Sequence, residues 1–455
     1  MKKKITYLLF LFIVTAIFSE EITVDENEIF GNSEVIVDKK ESSKSVDEEL
    51  NLKKISFSGD ISYEGSSRAR AAWIRPSEFS GYESKTTANL YLDVRVTDGI
   101  KVFGDLEGSY YPKGKVSYKT LDYEENGVDK SITYKEELNS ELLIKEFFFD
   151  TNYKRKAYFR FGKQNLKWGK SYFWNPTDTI NIERRSFLDM DRVREGVYGV
   201  KTHIPFGVEK NIYFFVNNEG AEDLTDNGIS AKYEFMVKNS EMSFSLWSRK
   251  NRKPVAGYDL SFNAFNTDFR LETAASYGSD LKKLDENRAA EESQSGKEIS
   301  ETLYKKQQDK IFPKVTAGFT KYFDYGEFKD RISFTGEFYY NSEGYSKNII
   351  KLFKNDDNRI EYVAKYYEPN NYGRFYAAFF TEFSKFMNDS RKSIHLNVIS
   401  NISDRSGICT AGFKYNPIDD FTIEADGNLY AGQEYSEYMI SGNRASADLK
   451  LSLKF

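Results

Sequence analysis

The chain of 455 residues contains a single cysteine, Cys409, two histidines, His203 and His395, and only 8 prolines. A structural disulfide within the chain is therefore impossible, and a structural Cys/His metal cluster is nearly so. An excess of one charge is missing as well. The 65 basic and 70 acidic residues leave a net charge of -5, and no basic surplus points to nucleic acid. Beyond the N-terminus there is no long apolar run, and the mean hydropathy is -0.62. Each helical membrane span needs roughly 20 consecutive apolar residues, so a bundle of such helices is excluded. A membrane β-barrel is not, because there lipid-facing apolar residues alternate with polar interior ones and the average hides them. What is abundant fits that case: 32 tyrosines and 37 phenylalanines in a chain that is 30% charged.

Lys2, Lys3 and Lys4 precede an apolar run from Tyr7 to Phe18, with small residues at Ala16 and Ser19. Residues 1–19 read as a secretory signal peptide, with a signal anchor as the alternative. Residues 20–54 are acidic and show neither helical nor strand periodicity, so they read as a mobile periplasmic extension. The remainder, 55–455, reads as one transmembrane β-barrel.

Period-two alternation carries that reading. Asn89, Tyr91, Asp93 and Arg95 share one face, and Leu90, Leu92, Val94 and Val96 the other. Thr97, Asp98 and Gly99 form a tight turn to a second alternating strand, and the pattern recurs around residues 331–338 and 420–429. About eighteen strands are expected, with about sixteen as the alternative, in an all-β antiparallel up-and-down barrel. Connections alternate between short and long: Thr97–Gly99, Asn152–Arg155 and Pro205–Glu209 are short, whereas Gly65–Lys85, Tyr111–Ser140, Gln164–Asp191, Ser276–Ile311 and Asn341–Asn370 are long. Short periplasmic turns alternating with long outer loops are the outer-membrane pattern, and a soluble sandwich has no reason for the asymmetry. The polar run Asp280–Asp309 reads as a mobile outer loop, and Ile349, Ile350 and Phe353 as apolar residues capping a loop inside the mouth.

The last strand sets Ala447, Leu449, Leu451, Leu453 and Phe455 on one face. It resembles the C-terminal strand of bacterial outer-membrane barrels, whose terminal Phe is read by the barrel-assembly machinery. That resemblance implies the same partner here, with outer-membrane lipids around the wall. The stretch GKQNLKWG followed by WNPTD resembles a motif of bacterial outer-membrane porin-like proteins, G-x-Q, W-G and N-P-x-D after a barrel strand. The matching residues are Gly162, Gln164, Trp168, Gly169, Asn175, Pro176 and Asp178. In many porins the third outer loop folds inward. The resemblance implies that Glu183, Arg184, Arg185, Asp189 and Asp191, with Arg192 and Arg194, form a constriction of opposed charges. Salt bridges that merely pack the loop against the wall are the equal alternative. Trp168, Tyr172, Phe173 and Trp174 would wedge the loop inside the barrel or at its rim.

The expected pore wall includes Arg95, Asp105, Arg160, Lys201, Arg270, Arg331 and Glu337, mixed in sign, as suits a hydrated path for small polar solutes. At about eighteen strands a barrel leaves an aqueous channel. The function expected is that of an outer-membrane porin, a passive diffusion channel. A barrel for amphipathic or hydrophobic cargo and a surface adhesin or structural barrel are the alternatives. No nucleophile elbow, metal spacing or phosphate loop is present, so no enzyme, cofactor or metal is expected. A homotrimer stays open, since trimer contacts and lipid-facing strands use the same apolar residues.

Overall fold

The computed structural model describes residues 55–69, 79–97, 99–125, 128–181, 186–190, 192–295, 299, 303–306, 310–353 and 367–455. The signal peptide and the acidic extension lie outside these residues. The strands run in chain order as β1 (Ile55–Ala69), β2 (Phe79–Thr97), β3 (Ile100–Glu125), β4 (Val128–Tyr153), β5 (Ala157–Gln164), β6 (Val197–Phe206) and β7 (Lys210–Asn217). Next come β8 (Gly228–Val237), β9 (Ser240–Ser248), β10 (Val255–Ala264), β11 (Thr267–Tyr277), β12 (Lys282–Leu284), β13 (Tyr304–Lys306), β14 (Ile311–Tyr325) and β15 (Phe328–Asn341). The last are β16 (Phe375–Ser384), β17 (Lys392–Asn401), β18 (Ser406–Ile418), β19 (Phe421–Ala431) and β20 (Ala445–Lys454).

All but β12 and β13 belong to one 18-stranded antiparallel sheet. Consecutive members pair, and β20 pairs back onto β1 from Asp60↔Lys454 to Ala69↔Ala445, so the sheet closes. Closure removes the free edges that an open sheet would present. The Phe455 and Gly59 backbones exchange hydrogen bonds of 2.8 and 2.9 Å at the seam.

Burial in this barrel is inverted relative to a water-soluble protein. Leu92, Leu106, Leu142, Phe147, Phe214, Leu246, Phe338, Phe379, Leu396 and Leu449 are exposed on the outside, whereas Asp105, Glu107, Lys145, Lys232, Asp259, Glu272 and Glu337 are buried. A closed wall with an apolar belt and a charged interior is stable where hydrocarbon surrounds it.

Two long loops expected from the sequence are strand over their described residues. β1 and β2 stay paired to Ala69↔Phe79, and β3 and β4 to Glu125↔Val128. Within the expected loops at Gly65–Lys85 and Tyr111–Ser140, the described residues 65–69 with 79–85 and 111–125 with 128–140 are therefore strand. The Asp280–Asp309 region also carries regular structure: the β12–β13 hairpin and α1 (Glu286–Gln294), capped by the Asp285 carboxylate, which accepts from the Asn287 and Arg288 amides. Leu284, Ala289, Leu303, Ile349, Ile350, Phe353, Tyr345 and Tyr372 pack there into a buried cap on the long-loop side.

Candidate functional site: a loop carried into the barrel

A bulge in β4 organises both ends of the loop after β5. The register slips between Asp105 and Leu106, which face Glu146 and Ile144, and leaves Lys145 unpaired. One extra residue turns two consecutive charged side chains inward, as bulges beside functional sites commonly do. Glu146 accepts from the Asn165 amide at 2.6 Å at the loop's start. Lys145 holds its end: the ammonium donates to the Val193 carbonyl at 2.6 Å and the Lys145 carbonyl accepts from Gly196 N at 3.0 Å. The same ammonium pairs with buried Glu107 at 2.7 Å.

Between these ties the segment crosses to the opposite wall. The Glu272 carboxylate on β11 accepts from the Lys170 and Ser171 amides, both at 3.1 Å, and from the Thr177 amide and hydroxyl at 2.8 and 2.7 Å. Glu337 on β15 accepts from the amides of Tyr172, Phe173 at 2.9 Å and Trp174 at 3.2 Å. Two anionic acceptors thus satisfy six backbone donors in a stretch without regular secondary structure, where charge-assisted bonds are the strong ones. Lys170 adds a contact with Glu241 and lies 3.4 Å from Glu234.

The motif residues are the joints of this crossing. Gly169 has φ +93°, and a Cβ there would sit 2.6 Å from both Glu272 carboxylate oxygens. Asn175 and Pro176 open a turn closed by the Asp178 amide on the Asn175 carbonyl at 3.1 Å. Asp178 accepts from Asn181 at 2.7 and 2.8 Å and pairs with Arg194 at 2.9 Å. Gln164, fully buried, donates to the Gly199 carbonyl at 3.3 Å. Trp168 packs with Leu166, Ile180, Val197 and Phe215. On the far side Trp174 stacks on Tyr339 at 5.5 Å, and Phe173 and Phe187 pack on Phe380 with Ala378, Ile399 and Ile408. The inner face of β16 to β18 is thus apolar where the loop covers it.

Of the expected constriction residues, Glu183, Arg184, Arg185 and Asp191 lie outside the described residues. Arg194 is tied to Asp178, Arg192 lies 3.5 Å from Glu107, and Asp189 lies 3.6 Å from Lys450 on β20. On the wall, Arg160 forms a two-point pair with Asp150 at 2.7 and 2.8 Å, its guanidinium 3.6 Å from the Phe148 ring centroid, and faces Lys201 across the β5–β6 register. Arg95 lies 3.7 Å from Asp93 near the short-turn rim, Arg270 donates to Thr320 at 3.0 Å, and Asp105 is buried beside the bulge. Arg331 closes the short-turn rim by donating to the Ser384, Tyr325 and Lys385 carbonyls and to Asn388 at 2.7–3.3 Å. His203, at 2.9 Å from Asn211, stacks on Tyr213. The sequence had no signal for Lys145 or Glu146 as loop anchors, because the run LLIKEFFF shows no break where the bulge falls.

Above the loop, the buried Glu437 carboxylate accepts from the Tyr376 hydroxyl and Asn401, both at 2.8 Å, and from the Asn370 amide at 2.7 Å. Burial pushes its pKa up to about 7. The Glu437 amide donates in turn to Asp404 at 2.7 Å, whose pKa burial also raises.

No protein-family model matches the chain, and no curated protein matches it by sequence. Solved structures do. Pseudomonas aeruginosa OccK11 (OpdR) superposes with a TM-score of 0.51 at 9% identity, over 89% of this chain and 96% of that one. P. aeruginosa OccK8 (OprE) gives 0.51 at 9% identity, over 89% and 98%. P. aeruginosa OccK2 (OpdF) gives 0.50 at 9% identity, over 89% and 98%. At this identity the likeness is one of fold, and the chain is a closed, 18-stranded barrel of the Occ/Opd porin fold.

Proposed function

We propose that the protein is an outer-membrane porin, a passive channel for small hydrophilic solutes whose third outer loop narrows the path. The observation that carries this reading is the loop segment 170–177 held across the barrel by Glu272 and Glu337. A barrel of about eighteen strands is wide enough for an aqueous lumen, and a loop fixed inside it sets the cross-section. The apolar side of the loop packs on β15 to β18. The passage then runs along the charged inner face of β4 to β6, past the partly exposed Asp150, Arg160 and Lys201. Fixed charges of both signs beside a narrow, low-dielectric path act on passing solutes by charge and dipole.

In this reading Glu183, Arg184, Arg185, Asp189, Asp191, Arg192 and Arg194 line the constriction, and the surrounding lipid is that of the outer membrane. Phe455 at the closing strand serves as the assembly signal. Residues 1–19 are the export signal and 20–54 a periplasmic extension. Liposomes carrying the mature chain, diluted into isotonic solutions of small sugars and amino acids, test the reading. They should swell at rates that fall with solute size. Swelling no faster than that of protein-free liposomes, with a folded barrel present, would contradict it.

A further inference from the structure

Below the loop, toward the short-turn rim, three neighbouring strands hold an unusual group. His395 on β17 pairs in register with Gly412 on β18, and Gly412 with Asp426 on β19. Inner-face side chains on β17 and β19 are separated by a whole strand, and a side chain at position 412 would fill the space between them. Its absence lets the flanking groups meet: a Cβ at Gly412 would lie 1.9 Å from Asp426 Oδ1 and 2.2 Å from His395 Nε2. Glu424, two residues before Asp426 and on the same face, completes the group. Its carboxylate and the donor atoms of His395 and Asp426 all lie within 4.8 Å of one another.

Asp426 Oδ1 is closed off from solvent, and His395 Nε2 faces it at 3.1 Å. One imidazole nitrogen and two carboxylate oxygens are a donor set for a borderline divalent ion, with further positions open to water. With metal–ligand bonds of about 2.1 Å, tetrahedral donors sit about 3.4 Å apart, a little more than the 3.1 Å between His395 and Asp426.

The neighbouring charges favour a cation on balance. Glu382 on β16 faces His395 in register, and Asp448 on β20 faces Asp426. Of the two facing lysines, Lys450 is already beside Glu64 at 3.5 Å and Asp189 at 3.6 Å. Lys414, opposite Glu424, is the competing cation.

We infer that His395, Asp426 and Glu424 form a binding site for a divalent transition metal of the zinc class on the inner wall, in a gap kept open by Gly412. The site does not depend on the porin reading, since it rests on the geometry of β17 to β19. Because the chain has only two histidines, the test is clean. The purified, detergent-solubilised full chain is titrated calorimetrically with zinc chloride in excess magnesium, with folding checked by the heat-dependent gel shift of the barrel. One saturable site per chain is expected, weakened by about tenfold or more in His395→Gln and in Asp426→Asn and unchanged in His203→Gln. Gly412→Ala should also lose it, because the new methyl group occupies the gap. No saturable zinc binding by the parent chain would overturn the proposal. So would equal binding in His395→Gln, which would leave the cluster an ordinary histidine–aspartate ion pair.

Discussion

Replacing Glu337 with alanine removes the acceptor for three consecutive amides, those of Tyr172, Phe173 and Trp174. Each buried donor left without a partner costs about 1–3 kcal/mol, so the inward position loses about 3 kcal/mol even where water enters to replace one or two bonds. At 1.4 kcal/mol per tenfold, the released population rises about a hundredfold. The barrel itself stays closed, because its ladder does not use this side chain. Glu337→Gln keeps one acceptor oxygen and should fall between the two. The assay is trypsin digestion of the folded barrel, read at Lys167 and Lys170, beside single-channel recording. Cleavage should speed up and the open level should become larger and noisier, in the order parent, Gln, Ala. Digestion rates and current records indistinguishable from the parent in a folded Glu337→Ala barrel would refute the anchoring argument.

Other outcomes follow from the same geometry. Gly169→Ala puts a methyl group 2.6 Å from both Glu272 oxygens at a φ of +93°. It should cost about 1–2 kcal/mol in backbone strain alone and reproduce the faster proteolysis of Glu337→Ala. Glu437, with a pKa of about 7 in the folded protein, lies above the ordinary carboxylate value near 4.3. Its protonated form is favoured by folding, so the stability it contributes is complete below about pH 4 and is lost as pH rises through about 7. Hydrogen exchange in 431–445 and 367–374 should therefore be slower at pH 5 than at pH 8, after correction for intrinsic rates, and Glu437→Gln should abolish the difference. Arg184→Glu with Arg185→Glu should move the reversal potential in a salt gradient toward cation selectivity, and an unchanged potential would return both residues to packing. Arg160→Ala removes a partly exposed pair worth at most about 1 kcal/mol, so it should shift selectivity the same way with almost no change in thermal stability.

Much of this architecture is legible in the sequence because a membrane barrel writes its wall as a period of two. Leu90, Leu92, Val94 and Val96 against Asn89, Tyr91, Asp93 and Arg95 specify one strand's two environments, and the alternating short connections specify the closed order. The contrast does not mark where a strand ends. Tyr111–Ser140 reads as a loop, yet 115–125 and 128–138 stay paired, since backbone hydrogen bonds need no apolar face. It also fades where both faces are apolar: Phe375–Phe380 hides the fact that Ala378 and Phe380 point inward beneath the loop. The motif from Gly162 to Asp178 marks the loop from sequence. Its acceptors do not announce themselves, because Glu272 and Glu337 look like any other inner-wall carboxylates until Lys170–Thr177 is laid against them. The bulge at Lys145 is silent for a related reason, since a one-residue slip leaves composition unchanged while re-aiming every side chain after it.

The most direct measurement is planar-bilayer recording of the mature full-length chain, with single-channel conductance and reversal potential taken under a salt gradient. Stable, long-lived open steps, with a selectivity that changes when the loop charges are reversed, are the expected result. A folded barrel that inserts and stays electrically silent, with Glu337→Ala silent as well, would contradict the channel account.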